Sequence, residues 1–187
     1  MNFKHTIQIP GMLCILALAC SCNNDKDEVA VTQCVVPSGY TGRDETGNLT
    51  GPMDTSDWRL DDNWSTCELE FFGSHSVPNT NCAISDSFLT APVAFPNPTS
   101  DMFQIDFGMQ LFDTTMRDTA MMVDLVIINQ RSEKISTTHT NKYLLRNLHF
   151  SLNLASSVPT DTIFRLYYIV RDSANCMRIG HGDIVRR

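Results

Sequence analysis

Seven cysteines, two tryptophans, five histidines and a cluster of aspartates are the side chains through which this 187-residue chain could do chemistry. Cys34, Cys67, Cys82 and Cys176 form an even set, which an oxidising compartment would consume as disulfides. Sequence alone does not select their pairing. The most local choice joins Cys67 to Cys82 and leaves Cys34 to tie the N-terminal region to Cys176 near the chain end. Zinc is the competing chemistry, but no C-x-x-C pair or neighbouring histidine supports it. Asp54, Asp57, Asp61, Asp62 and Asn63 crowd together without the Asp-x-Asp-x-Asp-Gly loop of a calcium site, so they read as the solvated entry to a helix. His181, between Gly180 and Gly182, lacks a second ligand at metal spacing and reads as a turn residue; His75, His139 and His149 are scattered. No nucleophile elbow, P-loop, H-E-x-x-H or dinucleotide-binding glycine pattern occurs. The expectation is a non-enzyme without metal or cofactor. Trp58 and Trp64 have two readings: aromatic plugs in a groove of the main domain, or a platform for a glycan or a protein partner.

The remaining cysteines belong to the first residues. Lys4, the apolar run Met12–Ala19 and the small residues before Cys22 describe a secretory signal peptide over residues 1–21. The run is far short of the ~20 residues that span a bilayer. With cysteine at the cleavage site, the segment resembles a bacterial lipoprotein signal, which implies acylation of Cys22, or alternatively of Cys20 after Ala17-Leu18-Ala19. Asn23 to Glu28 is similar to the acidic export stretch of Bacteroidota surface lipoproteins. That resemblance implies an outer-membrane lipid anchor, on the cell-surface face.

From Cys22 onward 166 residues remain, enough for one modest domain with a core. Charge is uneven. Residues 23–130 carry 4 basic and 17 acidic side chains, whereas 131–187 carry 9 basic and 4 acidic. Net acidity argues against nucleic acid as a partner. The asymmetry suggests either a solvated acidic tether or an acidic part that docks on a basic one. Residues 22–53, rich in Gly, Thr, Asp and Asn, read as a flexible acidic tether. Residues 54–90 read as a tryptophan-containing segment with one short helix at about 65–72, opened by the Ser65-x-x-Glu68 capping box and stopped at Gly73.

From residue 91 the period changes to two. Phe103-Gln104-Ile105-Asp106-Phe107 alternates as a half-buried strand does, and Met121–Ile128 is apolar on both faces apart from Asp124, which suits a central strand. Lys134–His139 is polar and suits an edge. Thr162–Val170 is the clearest strand, and Cys176–Ile179 and Asp183–Val185 read as two closing strands. Residues 91–187 are therefore expected to form an immunoglobulin-like antiparallel β-sandwich, making the chain mainly β.

Phe95-Pro96-Asn97-Pro98-Thr99-Ser100-Asp101, the strand Asp124–Asn129 and the terminal Asp183-Ile184-Val185-Arg186-Arg187 resemble the type A sorting domain of the type IX secretion system. The resemblance implies a small immunoglobulin-like sandwich and a role in export. The leading expectation is a lipid-anchored, non-catalytic accessory subunit of an outer-membrane complex, bound to another envelope protein. The alternatives are a cargo whose residues 91–187 act as a sorting signal, and a small carbohydrate-binding module using Trp58 and Trp64.

Overall fold

A computed structural model describes residues 34, 37, 39–61, 63–73, 91–107, 120–139, 143–144, 149–154, 158–172 and 176–187. All of them fall in the compact unit Thr32–Arg187. The signal peptide, Cys20, Cys22, Cys82, Asp62 and His75 lie outside the described residues.

Alternation sets the layers. In β3 (Met102–Asp106) Phe103 and Ile105 are buried while Met102, Gln104 and Asp106 face solvent. This strand lies between β2 (Val93–Phe95) and β7 (His149–Asn153), and the three form one antiparallel sheet. The larger sheet runs β1 (Arg59–Leu60), β9 (Met177–Arg186), β8 (Thr162–Asp172), β4 (Ala120–Ile128), β5 (Lys134–His139), with the two-residue β6 (Tyr143–Leu144) also on β4. All its pairings are antiparallel. The central position of β4 explains its apolar character on both faces.

The two sheets close over one core. Phe103, Ile105 and Phe150 of the small sheet, with Phe107 just past the end of β3, meet Val123, Leu125, Ile127, Leu166, Tyr168 and Ile184 of the large one. The architecture is thus the expected mainly β sandwich. A second apolar cluster lies on the outer face of the large sheet, where Val126, Ile128, Tyr167, Ile169 and Ile179 are covered by Trp64, Phe71 and Phe72. The cover includes the helix α1 (Thr66–Glu70), which ends at Gly73 with φ 77°. Ser65 and Glu68 form the expected capping box, the Ser65 backbone N–H donating to Glu68 Oε2 at 2.7 Å. A five-residue helix is too short to stand alone in water. Trp64 stacks on Phe72 and meets Tyr167 edge-on, and these contacts fix it on the sheet.

Two expectations change here. Residues 39–53 do not hang as a tether. Thr41 is buried, Arg43 and Asn97 exchange backbone hydrogen bonds of 2.7 and 2.9 Å, and the Asn97 side chain donates to Thr41 O. The polar composition that suggested a tether instead supplies turns: Asp44 Oδ1 accepts from the N–H groups of Thr46 and Asn48. The chain end is also one strand rather than two. Gly180-His181-Gly182 is the middle of β9 and not a turn. Its glycines serve close packing: a Cβ on Gly180 would stand 2.2 Å from Tyr168 Oη and from Arg59 O, and one on Gly182 2.2 Å from the Trp58 ring.

Candidate functional site

Two parts of the large sheet gather ionisable side chains: the outer face beside β9, under residues 39–61 and 63–73, and the strand β5 at the opposite edge.

Antiparallel register places Arg165 of β8 against Asp183 of β9, and Tyr167 against His181. Arg165 and Asp183 form a two-pronged ion pair, Nε–Oδ1 2.7 Å and Nη2–Oδ2 2.9 Å, both side chains being almost fully buried. Asp57 reaches in from the covering segment. Its Oδ1 accepts from the Asp183 backbone N–H at 2.5 Å and its Oδ2 from Thr41 N–H at 2.7 Å. Burial pushes the Asp57 carboxyl up to about 6, against the downward pull of those two N–H donors. Burial also raises Asp183 despite Arg165. Glu68 of α1 accepts the Tyr167 phenol at 3.0 Å, so the same carboxylate caps its helix and pins it to β8. His181 is 5 % exposed, its Nδ1 lies 3.9 Å from Asp61 Oδ2, and burial together with the Arg165 charge drives it down to about 4. The imidazole is therefore neutral at neutral pH. Asn97 completes the layer, donating to Asp183 O at 2.9 Å and accepting from Val185 N–H at 2.9 Å. Asp57, Glu68, Asn97, Arg165, Tyr167 and Asp183 spend their polarity on one another and on nearby backbone, whereas the buried His181 Nδ1 has no hydrogen-bond partner among the described residues, and the layer fastens the N-terminal segment to the sheet.

Trp58 and Trp64, read in advance as partner or ligand contacts, are buried at 6 % and 8 % exposure. Trp58 belongs to the inter-sheet core and Trp64 to the outer-face cluster. Rings buried to this degree cannot stack on a sugar, and the aromatic-platform reading is withdrawn in favour of the plug. Trp58 adopts φ 51°, a left-handed backbone rare for a bulky residue, which turns the chain so that its ring lies against Gly182 while Arg59 and Leu60 pair with β9.

The disulfide pairing is also corrected. Cys34 bonds to Cys67, with 5.7 Å between their Cα atoms, rather than Cys67 to Cys82 and Cys34 to Cys176. Cys176 is itself disulfide-bonded. Nearness along the chain misled because the cover folds back on itself, so that Cys34 lies beside α1, with its N–H donating to Ser132 Oγ. Of the aspartates weighed for calcium, Asp54 accepts from Ser56, Asp57 is buried as described and Asp61 accepts from Asn63 N–H. Among the described residues no group of three His, Cys, Asp or Glu side chains is placed to hold a metal ion.

At the other edge, β5 pairs with β4 on one side, and among the described strands nothing pairs with its other side. Its side chains are mostly exposed. Asp124, the lone acid of β4, is buried and accepts from His139 Nδ1 at 3.0 Å and from Arg171 at 2.5 Å. His139 itself is 61 % exposed, so a buried carboxylate aims an imidazole at solvent from the end of β5. Arg131 and Lys134 stand exposed at the other end of the strand. Beside them lies a groove of about 450 Å³ bounded by Asn129, Arg131, Ile135, Val158, Ile163 and Phe164. Sequence reasoning noticed Asp124 as the odd residue of its strand. It missed His139 as the partner, because that contact exists only once the register of β4 on β5 is set.

No protein-family model, curated protein or solved structure matches this chain. Among the described residues no helix is long and apolar enough to cross a membrane.

Proposed function

We propose that this chain is a lipid-anchored accessory protein of the cell envelope that binds an extended segment of an envelope partner along β5. The observation that carries this reading is the inequality of the two edges of the large sheet: β9 is closed by β1, whereas β5 ends the sheet with polar, mostly exposed side chains. An unpaired strand edge offers backbone donors and acceptors to a partner strand, the mode of recognition called β-augmentation. Anchoring rests on the signal-like segment and on Cys22, with Cys20 as its alternative. Cys34, 12 residues beyond Cys22 in sequence, is fastened to α1 by its disulfide with Cys67. Confinement near a membrane raises effective concentration without requiring high affinity.

The position of Trp58 in the inter-sheet core favours this reading over a cargo whose residues 91–187 act alone as a sorting signal, because such a fragment would lack part of its core. The experiment is a pull-down from native membranes in gentle detergent, read by mass spectrometry, with Cys22→Ala and with proline at Ser136 or Thr137. Alternate N–H groups of an edge strand point away from the sheet, so one of the two prolines leaves the β4 ladder intact. A stoichiometric partner lost with that proline, while the melting temperature holds, supports the reading. A partner retained by the folded proline variant removes β5 from it, and membrane retention of Cys22→Ala together with Cys20→Ala removes the lipid anchor.

A further inference from the structure

We propose that the groove at the foot of β5 receives one large apolar side chain of an extended, acidic protein segment; this rests on the β5 reading above and adds the chemistry of the partner. The floor of the groove is apolar: Val158 and Phe164 are buried in the core, and Ile135 and Ile163 are half-buried at its surface. Ile135 belongs both to the groove and to β5. Its side chain packs toward the inter-sheet core, so the residue that stands opposite it on an added strand lies on that same face, over the groove. β5 bulges at Ile135, which has no partner on β4. Lys134 pairs with Ile128 of the outer face and Ser136 with Ile127 of the core face, so an added-strand residue level with Lys134 faces away from the groove and one level with Ser136 shares the face of Ile135.

Charge chooses the flanks of that apolar anchor. Arg131 and Lys134 are exposed, and neither has an ion-pair partner among the described residues, whereas Arg165, Arg171 and Arg186 are paired with Asp183, Asp124 and Asp101. Two acids stand near. Glu133 accepts from Asn129 Nδ2 at 2.6 Å, and Asp161 belongs to the loop that forms the far rim. On the β5 side, where the backbone of an added strand would run, Arg131 and Lys134 outnumber Glu133, whereas the far rim carries Asp161, so the β5 side is the more cationic one. The hydroxyls of Ser136, Thr137 and Thr138 leave that edge free of bulk along its length. An incoming segment with carboxylates beside an apolar residue fits both features, and one with lysines fits neither.

The test uses the full mature chain in detergent and three short synthetic peptides: aspartate alternating with valine around one phenylalanine, the same with lysine for aspartate, and the first with alanine for phenylalanine. Binding is read by fluorescence anisotropy at low salt and located by amide chemical shifts. Two opposite-charge cross-strand contacts predict a preference of about fivefold for the acidic probe over the lysine probe. The alanine probe should bind more weakly than its parent, and shifts should centre on Ile135, Val158 and Ile163. The double variant Arg131→Glu, Lys134→Glu, which touches no buried group, should reverse the charge preference. Equal binding of acidic and lysine probes, an unchanged preference in the double variant, or shifts centred elsewhere would overturn the proposal. The two readings fail separately. Loss of the native partner in the proline variant without any acidic preference leaves the edge standing and sinks the groove. Acidic-probe binding at the groove that survives the edge proline sinks augmentation and keeps the groove.

Discussion

The two edges of the large sheet solve the same problem in opposite ways. At β9 the last strand is paired by β1, packed by Trp58 on the core face and covered on the outer face by the layer that contains Asp57, Arg165, Asp183 and His181. At β5 the edge carries exposed Lys134, Ser136 and Thr137 and ends on a solvent-facing His139. A buried edge must satisfy its charges internally, and here Arg165, Asp183 and Asp57 are paired, although His181 Nδ1 and Trp58 Nε1 have no hydrogen-bond partner among the described residues. An edge in water satisfies its groups with solvent and stays available. Stability is therefore concentrated on the β9 side, and the β5 side is the one proposed for binding.

Substitutions at β9 should break that contrast most severely. Trp58→Ala removes a buried indole that sits against Gly182, and a loss of about 4 kcal/mol is expected in urea unfolding. Gly182→Val should be comparably damaging by forcing a side chain into that ring. Cys34→Ser opens a disulfide between residues 33 apart in sequence and should cost about 3 kcal/mol, seen as a lower thermal midpoint that no longer responds to mild reductant at this bond.

Acid sharpens the comparison further. His181, lowered to about 4 from 6.5, contributes stability that is in place above pH 6.5 and is lost as pH falls toward 4. Asp57, raised from 3.8 to about 6, contributes stability that is greatest below pH 3.8 and is lost as pH rises through 6. The two oppose each other between about pH 4 and 6. His181→Leu removes one of them, so its stability relative to wild type should rise toward pH 4 by up to about 3 kcal/mol, measured by denaturant titration at several pH values. A variant that runs parallel to wild type across that window would show that His181 is not held neutral by burial. Asp57→Ala leaves the N–H groups of Thr41 and Asp183 without their acceptor and should cost about 2 kcal/mol.

The smallest stability effect is expected at the open edge. Arg131→Glu and Lys134→Glu should each change unfolding free energy by less than about 0.5 kcal/mol while weakening partner capture. Losses there as large as those at Trp58 would show that β5 is a covered edge and would end the contrast.

Much of this architecture was legible in advance. The alternation of β3, the length of β8 and the apolar run of β4 each state a burial pattern that a sandwich satisfies. The capping box at Ser65 and Glu68 and the stop at Gly73 located the helix to within a residue or two. These signals are local, and local chemistry acts within a turn or a strand. The 39–53 part of the tether, the closing turn and the disulfide pairing were misread for one shared reason. Polar residues, glycines and cysteines look alike in solvent and under a cover, and only their distant neighbours differ.

Sequence by itself determined the strand periodicity, the edge character of Lys134–His139, the helix caps and the signal-like start with its cysteines, because each depends on residues within a few positions. Tertiary structure alone decided that residues 39–61 and 63–73 wrap β9, that Gly180 and Gly182 yield room to Tyr168 and Trp58, that Asp57 meets Asp183, and that Asp124 aims His139 outward. Those contacts join residues as far as 126 positions apart, and their energy exists only when the register of paired strands brings buried polar groups within hydrogen-bonding reach.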